Sequence, residues 1–342
     1  MKRFLFVLAT VAVFFLGRTA WAEDEIYLRG KDKAIKGFVA KESAKGVSLK
    51  AGGDFAAETI DDIKYEVNPL TVRLGSYRPA FDADKDSLDP SKQKEFKINL
   101  DKALKGYQDS AAKVVEPFAK RHAEYKVAVL LARQAEFDGK APDAAIDALK
   151  KYKAKHADSW QIGACLQFLG RLQLDQKDFE GAKDTYAELS TANVPDDVKR
   201  EAQLQVIQVS IRAGKSAEAK AALDTFLQAL PAKSKYAVKA RVAQSELQIA
   251  AKDYDGAMKI LLEASKEASD RDTKAIIYNA KGVCLFEKAD VKAARWEFLW
   301  VDVVYNQSKA EHAKALYYLA KCFDQLNDQE KAQECRELLL ND

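Results

Sequence analysis

The chain is 342 residues long, 48 % hydrophobic and 31 % charged, a balance that fits an ordinary folded protein of more than one domain. Its 55 basic and 52 acidic residues give a formal net charge of +3, and removing the first 22 residues, which hold Lys2, Arg3 and Arg18 and no acid, leaves 52 against 52. A neutral chain has no global attraction to nucleic acid or anionic lipid, and four cysteines are too few for a disulfide scaffold.

At the N-terminus, Lys2 and Arg3 precede an apolar run from Phe4 to Leu16, followed by Ala20-Trp21-Ala22. A basic start, a short apolar core and a small-x-small ending predict an export leader over residues 1–22, cleaved after Ala22. The apolar run is short for a bilayer span. No cysteine precedes Cys165, so no thiol is placed for lipid attachment. The expected location is the periplasm or another part of the cell envelope, with no transmembrane span in the mature chain.

Residues 23–67 lose helical periodicity. Short segments at Glu25–Leu28, Ala34–Lys41, Gly46–Lys50, Phe55–Thr59 and Ile63–Val67, punctuated by glycines at 30, 37, 46, 52 and 53, predict five strands. The expectation is a small SH3-like or Sm-like β-barrel or meander, of a kind that resembles modules placed ahead of repeats in some exported bacterial proteins. So small a module is marginal alone, which predicts that it packs on the helices. Residues 68–90, with Pro69, Pro79 and Pro90, are expected to form a linker. Residues 91–117 are expected to supply a capping helix, 91–113, with Phe96, Leu100, Ala103, Leu104 and Tyr107 as its apolar stripe. Pro117 then marks a helix running through Tyr125, Val129 and Leu130 to about Phe137.

From there the chain repeats. Ala145, Ala182, Ala219, Ala257, Ala294 and Ala332 are separated by 37, 37, 38, 37 and 38 residues. Four residues after each stand Leu149, Tyr186, Leu223, Leu261, Phe298 and Arg336; seven after stand Tyr152, Leu189, Phe226, Ala264, Val301 and Leu339. That spacing puts them on one helix face with the alanine. Twelve residues before the anchors lie Arg133, Gly170, Ile207, Ser245, Gly282 and Ala320, mostly small, as close helix approach requires. Asp178, Asp253 and Asp290 stand where each second helix begins and are expected to cap it. Pro195 and Pro231 close two of the units. A period in this range predicts an α-solenoid of about six helical hairpins over residues 118–342.

The segments Asp178-Phe179-Glu180-Gly181-Ala182, with Gly170 before and Tyr186 after, and Asp253-Tyr254-Asp255-Gly256-Ala257 resemble the tetratricopeptide repeat (TPR). The period is longer than that of the common repeat by about three residues, and the first and third units match least, with Arg133 and Ile207 at the small position. The resemblance implies a mainly α fold whose first helices line a concave surface that holds a protein or peptide segment.

A search for chemistry finds no paired metal-spaced histidines among His122, His156 and His312, and no nucleophile elbow, phosphate loop, dinucleotide loop or C-x-x-C. Asp61-Asp62 and Asp196-Asp197 are read as turn or cap residues. No enzyme, cofactor or metal is expected. Cys284 and Cys322 sit at small-residue positions. Small buried side chains are the plain reading, and a Cys322–Cys335 bridge is the arrangement an oxidising compartment would allow.

Binding remains. Eleven residues before the anchors lie Gln134, Arg171, Gln208, Glu246, Val283 and Lys321; fifteen before lie Leu130, Gln167, Leu204, Val242, Asn279 and Tyr317. Together they predict a mixed groove suited to an extended or helical peptide, without the Lys and Asn set of a carboxylate clamp. In the fifth unit, Trp296, Leu299, Trp300 and Val303 form a second apolar stripe, which either packs on the sixth unit or docks a partner. The chain ends soon after Leu338-Leu339-Leu340, leaving the last repeat open to a partner or a second copy. The reading is an exported TPR adaptor or scaffold; the alternative is a cell-wall or glycan-binding protein that uses the β-module, whose aromatics are chiefly Tyr27, Phe38 and Tyr65.

Overall fold

The structure is a computed structural model that describes residues 23–65, 90–230, 234 and 236–341. The predicted leader 1–22, the linker residues 66–89 and Pro231 lie outside the described residues. Six strands come first: β1 (Asp24–Leu28), β2 (Ile35–Gly37), β3 (Val39–Ser43), β4 (Gly46–Leu49), β5 (Asp54–Ala56) and β6 (Ile60–Lys64). They form two antiparallel three-stranded sheets, ordered β2-β1-β6 and β3-β4-β5. Only Phe38 separates β2 from β3, so one bent strand serves both sheets, as in an SH3-like module. The expected strand at Phe55–Thr59 is divided: β5 ends at Ala56, a 3₁₀ turn occupies Ala57–Thr59, and the last strand starts at Ile60.

Thirteen described helices follow: α1 (Pro90–Lys113), α2 (Pro117–Asp138), α3 (Asp143–Lys155), α4 (Ile162–Asp175), α5 (Phe179–Thr191), α6 (Asp196–Arg212), α7 (Ser216–Ala229), α8 (Tyr236–Ala250), α9 (Tyr254–Glu267), α10 (Arg271–Glu287), α11 (Val291–Val304), α12 (Lys309–Gln325) and α13 (Gln329–Asn341). Helices α2 to α13 make six hairpins. All six anchor alanines are fully buried, each at 0 % exposure.

The turn inside each hairpin explains the period. A residue in the left-handed region sits five positions before the anchor in five units: Lys177, Gly214, Lys252, Ala289 and Asn327. The chain then reverses into the second helix. As expected, Asp178, Asp253 and Asp290 accept hydrogen bonds from Gly181 N, Gly256 N and Ala293 N at 2.9, 2.9 and 3.1 Å. The first hairpin differs: its left-handed residue, Gly139, lies six before the anchor, so the turn is one residue longer. This corrects the register of that unit. Ala132, not Arg133, takes the buried small position, and Arg133 is exposed.

Volume is traded within each unit. A Cβ on Gly170 would lie 2.6 Å from the Tyr186 ring, and one on Gly282 would lie 2.6 Å from the Phe298 ring. The third unit inverts the arrangement, pairing the larger Ile207 with Leu223 in one core. Arg336, the break in the last unit, pairs with Asp324. The four cysteines are free and buried. Burial pushes the Cys322 and Cys335 thiols up to about 11, so both are poor nucleophiles.

The β-module is joined to the helices by a common core. Ile26, Val47, Ile60 and Ile63 pack in one cluster with Phe96, Leu100, Tyr107, Ala123 and Trp160, while Ala44 joins the core of α4 and α5. Every residue of the predicted α1 stripe is buried. Two charged contacts cross this seam. Glu42 accepts from the Tyr65 hydroxyl and lies 2.9 Å from Arg121. Asp62 lies 3.2 Å from both His122 Nε2 and Lys126 Nζ. Asp62 was expected in a turn or cap, but it is 3 % exposed and belongs to β6.

Burial raises the Asp62 carboxyl, but Lys126 and His122 outweigh it and hold the group well below its ordinary range. The Glu42 carboxyl is pushed up to about 7, because burial outweighs Tyr65 and Arg121. Burial also lowers His122, against the pull of Asp62. Its neutral ring receives the Gln161 amide, 3.3 Å from Nδ1, and stacks at 6.4 Å on Trp160.

Two outcomes follow from this packing. Gly282→Ala should cost about 1–3 kcal/mol, by overpacking against Phe298, read as a lower midpoint in urea; an unchanged midpoint would contradict the close approach. For Glu42, the folded pKa lies above the unfolded one, so its proton stabilises the fold below about pH 4.5 and that stability is lost as pH rises through 7. Relative to Glu42→Gln, the wild type should therefore lose on the order of 3 kcal/mol between pH 4 and pH 8. Paired denaturation curves across that range check it, and a constant difference would contradict the burial of this carboxyl.

Candidate functional site

The first helices of the hairpins bring side chains together along the inner face. A cleft of about 720 Å³ is lined by Gln167 and Arg171 of α4, Gln205, Gln208 and Arg212 of α6, and Ala310 and Glu311 of α12. Helices far apart in the sequence thus border one space, because each hairpin is rotated on the last. A second cleft, about 690 Å³, lies between α2 and α4 and shares Arg171, whose guanidinium lies 5.1 Å from the Phe168 ring centroid.

Glu246 on α8 belongs to the electrostatics of this space. Burial pushes its carboxyl up, Lys314 and Arg212 pull it down, and Glu311 adds to the rise. Arg171, Arg212 and Lys314 make no ion pair within 4 Å among the described residues. By contrast, many cations elsewhere are paired, as Lys239 is with Glu201 at 2.8 Å. A groove with unpaired cations around a desolvated carboxylate can exchange water for the charged and amide groups of a polypeptide.

The sequence-predicted positions divide. Gln167, Arg171 and Gln208 line the main cleft, with Glu246 coupled to it. Tyr317 is 45 % exposed on α12, with Lys321 Nζ 4.5 Å from its ring centroid. Gln134 does not join them: the longer first turn rotates it toward α1, where it donates to Asp101 at 2.9 Å, and Arg133 takes the groove position. Asn279 is fully buried and donates to the Glu311 carbonyl and Oε2 at 2.9 and 2.7 Å, tying α10 to the start of α12. Leu130, Leu204 and Val242 are core residues. Trp296 and Trp300 lie on the second helix α11, 60 % and 48 % exposed, away from the cleft residues.

Gln205, Arg212 and Lys314 are groove residues that the spacing of eleven and fifteen did not select. They lie fourteen, seven and eighteen residues before their anchors, on adjacent turns of the same helix face. Among the described residues, no group of three or more His, Cys, Asp or Glu side chains is placed to hold a metal. The Asp62–His122–Lys126 contact is sealed within the seam. No described helix is long and apolar enough to cross a membrane.

The helical array with this groove is a TPR-type α-solenoid, preceded by a small antiparallel β-module. A tetratricopeptide repeat profile matches residues 314–339, which form most of the last hairpin. Among solved structures, a tetratricopeptide repeat protein from Parabacteroides merdae is similar over 77 % of this chain and 92 % of its own, with 15 % identity and a TM-score of 0.52. The pilF protein of Pseudomonas aeruginosa is similar over 72 % of this chain and 97 % of its own, with 17 % identity and a TM-score of 0.38. A Rap protein complexed with competence and sporulation factor is similar over 78 % and 74 %, with 16 % identity and a TM-score of 0.45. No curated protein matches the chain.

Proposed function

We propose that this protein is an exported adaptor or scaffold that holds a protein segment in the cell envelope, through the concave groove and without chemical turnover. The observation that carries the reading is the main cleft, where Gln167, Arg171, Gln208 and Arg212 converge while the two arginines remain without an ion pair among the described residues. Amides and unpaired guanidinium groups suit the carbonyls and carboxylates of an extended or helical segment. The leader read over residues 1–22 supports placement in the envelope, with cleavage after Ala22.

The alternative, wall or glycan recognition by the β-module, draws little support from its aromatics. Tyr65 is 2 % exposed and engaged by Glu42, and Tyr27 donates to Glu25 at 2.8 Å. Only Phe38, with Lys50 Nζ 5.6 Å from its ring centroid, remains as a partly exposed platform.

A photo-crosslinking residue at Gln208 in the exported protein should capture one recurrent protein, and one at Asp184 on the outer face should not. With that protein in hand, Arg171→Glu and Arg212→Glu should each weaken binding about tenfold or more, measured by calorimetry, with the fold kept intact by circular dichroism. Unchanged affinity in both variants would contradict the groove. Binding of wall fragments that is lost in Phe38→Ala would favour the alternative.

A further inference from the structure

The repeat supplies its own control for what a second helix shows to water. Positions two, six and nine after the anchor carry Asp184, Glu188 and Thr191 in α5, and Lys259, Glu263 and Lys266 in α9. In α11 the same positions carry Trp296, Trp300 and Val303, exposed by 60, 48 and 70 %. Leu262 on α9 and Leu338 on α13 are also half exposed. Five of the eight exposed large hydrophobic residues among those described thus fall on three consecutive second helices. The expected packing of the aromatic stripe against the sixth unit is limited to its inner edge: Leu299 joins that core, and Trp300 reaches Tyr278 at 5.9 Å.

The charge on either side of the stripe differs. The outer row of α9 carries Lys259 and Lys266, and that of α13 carries Glu330, Glu334 and Glu337. A two-fold axis running parallel to α11 would set Trp stripe against Trp stripe and place the α9 row of each copy over the α13 row of the other. Lysines then meet glutamates twice, and Leu262 meets Leu338 twice. The perpendicular two-fold would set lysine row on lysine row. The two half-exposed tryptophans offer roughly 200–300 Å², less than the roughly 800 Å² per partner of a stable interface. The flanking rows must therefore take part, and their signs complement only in the first arrangement.

We propose that the outer face of α9, α11 and α13 pairs with a second copy of this chain in an isologous dimer centred on Trp296 and Trp300. The surface is separate from the concave groove, so a dimer presents two grooves at once.

Sedimentation of the purified protein from about 1 to 100 µM should show a monomer–dimer equilibrium. Trp296→Glu with Trp300→Glu should weaken it about 100-fold or more, with an unchanged circular dichroism spectrum. Lys259→Glu with Lys266→Glu should weaken it about tenfold, and adding Glu334→Lys and Glu337→Lys in the same chain should restore the wild-type constant. A wild type that stays monomeric over this range, a dimer untouched by the tryptophan changes, or a charge swap without rescue would each overturn the proposal. So would monomeric protein that floats with phosphatidylcholine vesicles through these tryptophans, which would make a bilayer the occupant.

Discussion

Everything in this molecule depends on six places where two helices touch almost backbone to backbone. Each anchor alanine is sealed there, and in the second and fifth units a glycine on the facing helix admits an aromatic ring. A contact that close leaves little freedom in crossing angle. Each hairpin therefore repeats nearly the same rotation on its predecessor. The rotations add, and the first helices of distant units come to border one cleft, so that α12 closes a space opened by α4 and α6. The groove is thus a consequence of packing, and its chemistry is whatever side chains the inner face carries.

The N-terminal end of such an array faces a difficulty that the interior units do not. A first hairpin has no preceding neighbour to cover its apolar surface. Here α1 and the β-module provide that cover, with Ile26 and Ile63 in the same core as Leu100 and Ala123. The charged contacts across the seam are costly to bury. Asp62 and Glu42 are not needed to glue apolar surfaces; their partners on α2 permit one docking register only. The module is accordingly part of the solenoid's end, and removing residues 23–65 would strip the cover from α1 and α2.

Much of this was legible in the sequence, because it is local or periodic. The anchor spacing, the capping aspartates and the α1 stripe each follow from residues within a turn or two of one another. The main error was equally local: one extra residue in the turn at Gly139 moves Gln134 to α1 and leaves Arg133 facing the groove. Asn279 was misread for a different reason. Its burial depends on how closely α10 and α12 pack, which a spacing rule does not encode. The seam was the least visible, since Asp62 meets His122 and Lys126 across some sixty residues of chain, and an acidic pair in isolation looks like a turn.

The central claim is that the β-module and the first hairpin form one folded body with the repeats. Native-state hydrogen exchange read by mass spectrometry tests it most directly. If the claim holds, amides of β1 and β6 exchange with the same opening free energy as those of α1 and α2, and Asp62→Ala lowers protection in all four together. Strands that exchange orders of magnitude faster than α2, or a variant that loosens the strands and leaves α2 untouched, would show the module to be an independent appendage.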